Sequence, residues 1–90
     1  MNEEKFLDFL KNQNFPEPIL VKQTSNNGLD IHAHDFEVWA MVTEGWITIE
    51  IDSNQSTYRA GDIFHLGFKQ EHKEMYGPMG VSYLTSRKSH

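Results

Sequence analysis

Residues 28–45 read GLDIHAHDFEVWAMVTEG, and their pattern decides the fold. Val38 to Thr43 is a strand, closed by Glu44-Gly45. Along it Val38, Ala40 and Val42 share one side, and Trp39 and Met41 share the other. Ahead of it stand His32 and His34, two residues apart. In a strand that spacing projects both imidazoles from one face, about 6–7 Å apart. One ion could then meet both, since Zn–N bonds are about 2.0–2.1 Å. Val38, Ala40 and Val42 lie on the histidine side and are expected to line the interior pocket.

Outward from this stretch the chain keeps reading as short strands between turns. Ile19-Leu20-Val21 comes before it, ended by polar residues and the turn signal Asn27-Gly28. After it, Trp46 to Ile51 alternates, with Ile47, Ile49 and Ile51 on one face. Asp52-Ser53-Asn54-Gln55 reads as a hairpin loop and Ser56 to Arg59 as the returning strand. Ala60-Gly61-Asp62 is a turn, in which Asp62 serves turn hydrogen bonding. Ile63 to Leu66, His72 to Tyr76 and Val81 to Thr85 complete the set, the last two separated by Gly77-Pro78-Met79-Gly80. Strands this short, with no helix between them, predict an all-β sandwich or barrel. Only the first residues differ. Phe6, Leu7, Phe9 and Leu10 form one helical stripe opposite Glu4, Lys5, Asp8 and Lys11, and Asn2 is placed to cap it. Residues 1–18 therefore read as helix and linker, and 19–90 as the barrel domain.

The chain has 90 residues and a formal net charge of −5, with no cysteine. That length gives one core, burying about 60–65% of the unfolded surface, so a partner subunit would add to stability. Disulfides and thiolate metal sites are excluded. An acidic balance argues against nucleic acid, which needs a concentrated basic surface. No apolar run approaches the roughly 20 residues of a membrane helix, and the acidic start is not a signal peptide. The expectation is a cytoplasmic protein with no nucleic-acid or membrane partner.

His72 follows the turn Lys69-Gln70-Glu71 and opens a strand, where a barrel could bring it to face His32 and His34. His65, inside an apolar strand, reads as a hydrogen-bonded structural histidine. His90 is the last residue.

The stretch G-LDI-HAH-DFEVWAMVTE-G resembles the first cupin motif: a glycine, an HxH pair, a carboxylate soon after, and a glycine ending the next strand. Residues 60–72, AGDIFHLGFKQEH, resemble the second: a Gly-Asp turn, a strand, a tight loop and a third histidine. The resemblance covers roughly residues 19 to 86, and is greatest to small single-domain cupins with a short helix and the segment HxHDFE. It implies a double-stranded β-helix, or jelly-roll barrel, with a metal in its mouth. His32, His34 and His72 match the family's histidine ligands. Its usual glutamate position holds Val38, and Glu37 stands one residue early. On a regular strand Glu37 points away from His34, so it would be an additional ligand only through a bulge. The usual proline before the second loop is replaced by Gly67.

Imidazoles alone do not choose among Zn, Ni, Fe, Mn and Cu. A divalent ion on three neutral histidines would keep its charge and attract a small anionic or chelating molecule. The resemblance thus implies a metal-dependent enzyme on such a substrate. The alternative is a non-enzymatic binding or sensor cupin, possibly metal-free, since fold does not fix function. Whether the chain is an enzyme stays open, and no catalytic residue is singled out. A homodimer is expected because Trp39, Met41 and Trp46 would form an outward apolar patch larger than one short helix covers.

Overall fold

The Asn2 side chain accepts a 2.9 Å hydrogen bond from the Lys5 N–H, and this cap starts α1, Glu3–Asn12. Acidic Glu3 and Glu4 occupy the first turn, where the helix dipole favours them. The structure, a computed structural model, describes residues 1–25 and 28–89; Asn27 of the expected Asn27-Gly28 turn, and His90, lie outside them. Six strands follow α1: β1 Ile19–Gln23, β2 Gly28–His32, β3 Phe36–Ile51, β4 Asn54–Arg59, β5 Ile63–Leu66 and β6 His72–Ser89. All pairings are antiparallel, in the order β1-β6-β3-β4, with β2 also on β6 and β5 also on β3.

The two long strands correct the sequence reading. Val38 to Thr43 and Trp46 to Ile51 are halves of one strand, β3. His72 to Tyr76 and Val81 to Thr85 are halves of another, β6. Glycine makes this possible. Gly45 and Gly80 have φ of +70° and +74°, and a Cβ on Gly45 would sit 2.1 Å from the Gly80 carbonyl oxygen. The two strands therefore cross backbone against backbone at a corner that admits no side chain. The register of β3 on β6 slips between Val42 and Glu44 and again between Gly45 and Ile47. Bulges of this kind bend a ladder without ending it.

Bending divides the strands into two layers. The first half of β3 and second half of β6 join β1 and β5; the other halves join β2 and β4. Their inward residues make one core: Val38, Ala40, Val42, Phe64, Leu66, Val81 and Tyr83 from one layer, Ile47, Ile49 and Tyr76 from the other. This is the expected all-β jelly roll. The β3–β4 hairpin is tighter than expected. Asp52 and Ser53 alone form its loop, both at positive φ (51° and 67°), as a type I′ turn requires. Asn54 and Gln55 belong to β4.

On the outer face α1 buries Phe6 and Leu10 with Phe15 and Met41, and Phe9, Trp39, Ile63 and Leu84 pack around them. Phe9 meets Trp39 edge-on, centroids 4.8 Å apart. Trp39 and Met41 do point outward, but the helix covers them. Trp46 lies against the backbone of Gly77. The outward patch read from the sequence is thus largely sealed within the chain. Ile19 and Leu20 on β1, and Leu29 and Ile31 on β2, remain exposed. No helix among the described residues is long and apolar enough to cross a membrane.

Candidate functional site

β6 carries three consecutive inward positions, His72, Glu74 and Tyr76, all buried. β2 runs alongside, with Leu29 opposite Glu74 and His32 opposite His72. Three steps along β2 match two along β6, so Asp30 and Ile31 form a bulge. In an unbroken register His32 would stand opposite Glu71 and face away from Glu74. The extra residue turns it onto the face of His72. The bulge satisfies its own polar groups: the Ile31 N–H donates to the Asp30 carboxylate at 2.8 Å. β2 then ends, so His34 is not on a strand as the spacing predicted. It still joins His32, ring centroids 4.9 Å apart, and its ring stacks on Phe36 at 4.8 Å and 9°. The Lys69 N–H donates to the His34 carbonyl at 2.8 Å, which ties the loop before His72 to the same place.

Ring centroids of His72 lie 4.2 Å from His32 and 5.5 Å from His34. With Glu74 these three offer one ligand atom each, all within 4.8 Å of one another, in an arrangement that could hold a metal ion. Two rings are oriented by one device. His32 Nδ1 donates to the Asp30 carbonyl at 2.7 Å, and His72 Nδ1 donates to the Gln70 carbonyl at 3.0 Å. A carbonyl only accepts, so Nδ1 carries the proton and each Nε2 is turned inward. Both inward nitrogens meet one atom, Glu74 Oε2, at 3.2 Å from His32 and 3.0 Å from His72. The other Glu74 oxygen accepts from the Tyr76 hydroxyl at 3.0 Å.

Burial disfavours charge on the Glu74 carboxylate, but hydrogen bonds from His72 and Tyr76 outweigh it and hold the pKa below the ordinary value. Burial likewise opposes a charge on His72. The Glu74 and Gln70 hydrogen bonds overcome it and raise the pKa. His34 is lowered, by burial and then by the neighbouring His32 and His72. Burial and the Glu74 charge push the Tyr76 phenol far up, so it stays a neutral donor. A proton between His72 and Glu74 therefore satisfies that pair. It does not satisfy His32, whose buried Nε2 has no hydrogen-bond partner among the described residues. A ring nitrogen buried there beside a carboxylate oxygen leaves room for a positive charge between them, a proton or a metal ion. Imidazole nitrogens plus one carboxylate suit zinc or another divalent transition ion, and carbonyl-tethered Nδ1 groups are what such ligands commonly have behind them.

Glu37 lies outside this cluster. Its carboxylate meets His65 Nε2 at 2.6 Å on the outer side of the sheet, because no bulge intervenes between Phe36 and Val42 to turn it inward. His65 is hydrogen-bonded as expected, and its ring lies 4.5 Å from Trp39. The carboxylate that sequence reading missed is Glu74. Asp62 accepts from the Arg59 N–H at 2.9 Å, the expected turn role.

A cavity of about 190 Å³ opens beside the cluster, with His34 and Glu74 in its wall. Val38 lines it with Phe36, Phe64, Leu66 and Tyr83. Ala40 and Val42 are inward as expected, but are fully buried in the core instead of forming the cavity wall.

No family model matches the sequence, and no curated protein matches it. Solved structures do. One from Rhizobium leguminosarum, described as of unknown function, superposes with a TM-score of 0.74 at 14% identity, over 79% of this chain and 67% of that one. A cupin superfamily protein from Desulfitobacterium hafniense gives 0.69 at 11% identity, over 79% and 64%. HppE, solved with cobalt(II) and Tris buffer, gives 0.66 at 14% identity, over 79% of this chain but 44% of its own. At these identities the likeness establishes the fold, and the fold is that of the cupins.

Proposed function

We propose that this cupin-fold chain binds one divalent metal ion through His32, His34 and His72, with Glu74 as a further ligand, and acts on a small anionic or chelating molecule in the adjoining cavity. One observation carries the reading. Two histidines have their Nδ1 atoms committed to backbone carbonyls, and their Nε2 atoms converge on a single carboxylate oxygen, one of them with no hydrogen bond. Cobalt(II) in a structural neighbour is consistent with it. Zinc, nickel, iron and manganese all fit this donor set. When bound, such an ion supplies Lewis acidity, and a redox metal also supplies electron transfer. The chain's own groups do the rest. Asp30 and Gln70 carbonyls hold two rings, Tyr76 orients Glu74, and the apolar wall of Val38, Phe64 and Leu66 limits water.

The test is elemental analysis of protein prepared without an affinity tag, followed by zinc and manganese titration of the metal-free form. Submicromolar binding of one ion per chain is expected, weakened at least about 100-fold in His72→Ala. Equal affinity in the wild type and in a variant with all three histidines replaced would overturn the reading. A metal-free binding module is the second reading. The His72–Glu74–Tyr76 chain favours it, because a proton satisfies those three groups without an ion. Ligand binding that persists in chelator, with no turnover when metal is restored, would support it.

A homodimer belongs to the same proposal. Its basis is the exposed Ile19, Leu20, Leu29 and Ile31 on β1 and β2. Light scattering giving the monomer mass at micromolar concentration would rule it out.

A further inference from the structure

The cavity beside the cluster mixes polar and apolar lining. His34 and Glu74 stand in its wall. So does Arg87. Tyr83 and Thr85 are buried and face inward from β6, and the strand period of two puts Arg87 on the same side, at the mouth. Among the described residues it is the one lysine or arginine lining this cavity. Its guanidinium lies over the Phe36 ring at 4.6 Å from the centroid, and Phe36 stacks on His34. Arginine and metal cluster are therefore separated by about one aromatic ring. None of the ion pairs among the described residues involves Arg87. A planar fork of donors, backed by an aromatic face and without a carboxylate of its own, is shaped for a carboxylate from outside.

The remaining lining sets the rest of the ligand. Phe36, Val38, Phe64 and Leu66 offer apolar surface, Thr85 adds a hydroxyl, and the Gln23 amide donates to the Tyr83 hydroxyl at 3.3 Å. The volume of about 190 Å³ accommodates a short acyl chain. Glu74 does not repel such an anion fully, because His72 and Tyr76 already engage its charge.

We propose that Arg87 is the specificity residue of this cavity, anchoring the carboxylate of a small aliphatic acid whose other end reaches the histidine cluster. The proposal rests on the cavity being the substrate site, and deepens that reading by naming the substrate class.

The test uses butyrate, with butanol as its neutral counterpart, and amide chemical shifts of the 15N-labelled full chain as readout. Zinc-loaded and chelator-treated protein are titrated in parallel. Butyrate is expected to shift the amides of Phe36, Val38 and Thr85 saturably in both forms, and butanol is not. Arg87→Gln should weaken butyrate at least about tenfold, and Arg87→Lys by less, since it keeps the charge and loses the fork. Zinc should still bind Arg87→Gln, no more weakly than the wild type, since the guanidinium is a like charge near His34. If zinc fails to bind but butyrate behaves as stated, the metal reading falls and the anchor stands. Equal butyrate affinity in Arg87→Gln overturns the anchor. So does butyrate binding confined to zinc-loaded protein, which would place the carboxylate on the ion. Inorganic phosphate shifting these amides while butyrate does not would overturn the carboxylate assignment.

Discussion

Tyr76→Phe removes one oxygen and nothing else from the centre of the site. The hydroxyl donates to Glu74 Oε1 at 3.0 Å, and both residues are buried. The ring stays in place against the core, so no cavity opens; Tyr76→Ala would add several kcal/mol of cavity cost and hide the effect. A hydrogen bond to a charged acceptor contributes about 1.5–3 kcal/mol, because the carboxylate left behind has lost its water as well. Taking about 2 kcal/mol, a chain of this size should melt roughly 8–16 °C lower. Chelator-treated protein in a calorimeter gives that number without any metal contribution. The second readout is metal affinity. Glu74 then keeps only its contacts at Oε2 and turns more freely, so affinity should fall about 10–100-fold, the usual cost of losing a group that orients a ligand. A melting shift under about 2 °C, with unchanged metal affinity, would refute the account of Tyr76 as the group that holds Glu74. A large melting shift with unchanged affinity would show that Glu74 is structural and the metal rests on histidines alone.

Three further outcomes are expected. Glu37→Ala should leave metal affinity within about twofold of wild type in a titration, because its carboxylate serves His65 on the outer face. Gly45→Ala should cost more than about 2 kcal/mol in urea unfolding, from positive φ together with a Cβ driven into the Gly80 carbonyl. In chelator, the melting difference between wild type and Glu74→Gln should be largest between about pH 4.5 and 6.5. Glu74's lowered pKa contributes stability above its ordinary value and loses it as pH falls through the folded value, whereas His72's raised pKa contributes fully below 6.5 and loses it as pH rises through its own folded value.

Most of the fold was legible because alternation is legible. Ile47 and Ile49, and Val38, Ala40 and Val42, are inward as their spacing requires. What the sequence hid was continuity. Gly45 and Gly80 look like strand-ending turns, and sequence alone does not tell a glycine that ends a strand from one that lets two strands cross. The two-residue hairpin was hidden similarly, because Asp52 and Ser53 take up positive φ where Gly or Asn would have announced it. The sealed outer patch depended on how α1 packs, a tertiary fact that its amphipathic stripe allows without specifying.

The histidine cluster was legible from spacing plus a facing strand, yet the geometry behind it differs from that argument. His32 reaches His72 because of a bulge at Asp30 and Ile31, and His34 lies beyond the strand's end. Glu74 carried a signal of its own. His72-Lys73-Glu74-Met75-Tyr76 alternates with period two, so a strand beginning at His72 must turn Glu74 and Tyr76 to the same face as its first residue. The rule that pairs His32 with His34 also pairs His72 with Glu74. A glutamate in a polar run carries no sign of burial in the sequence, and only burial separates a core carboxylate from a solvated one. A carboxylate facing the core has to be matched with donors or a cation. Here a phenol, an imidazole and an unpaired imidazole nitrogen surround it, and two of those three are satisfied without an ion. The third is the part of the site that a hydrogen-bonded core alone does not explain.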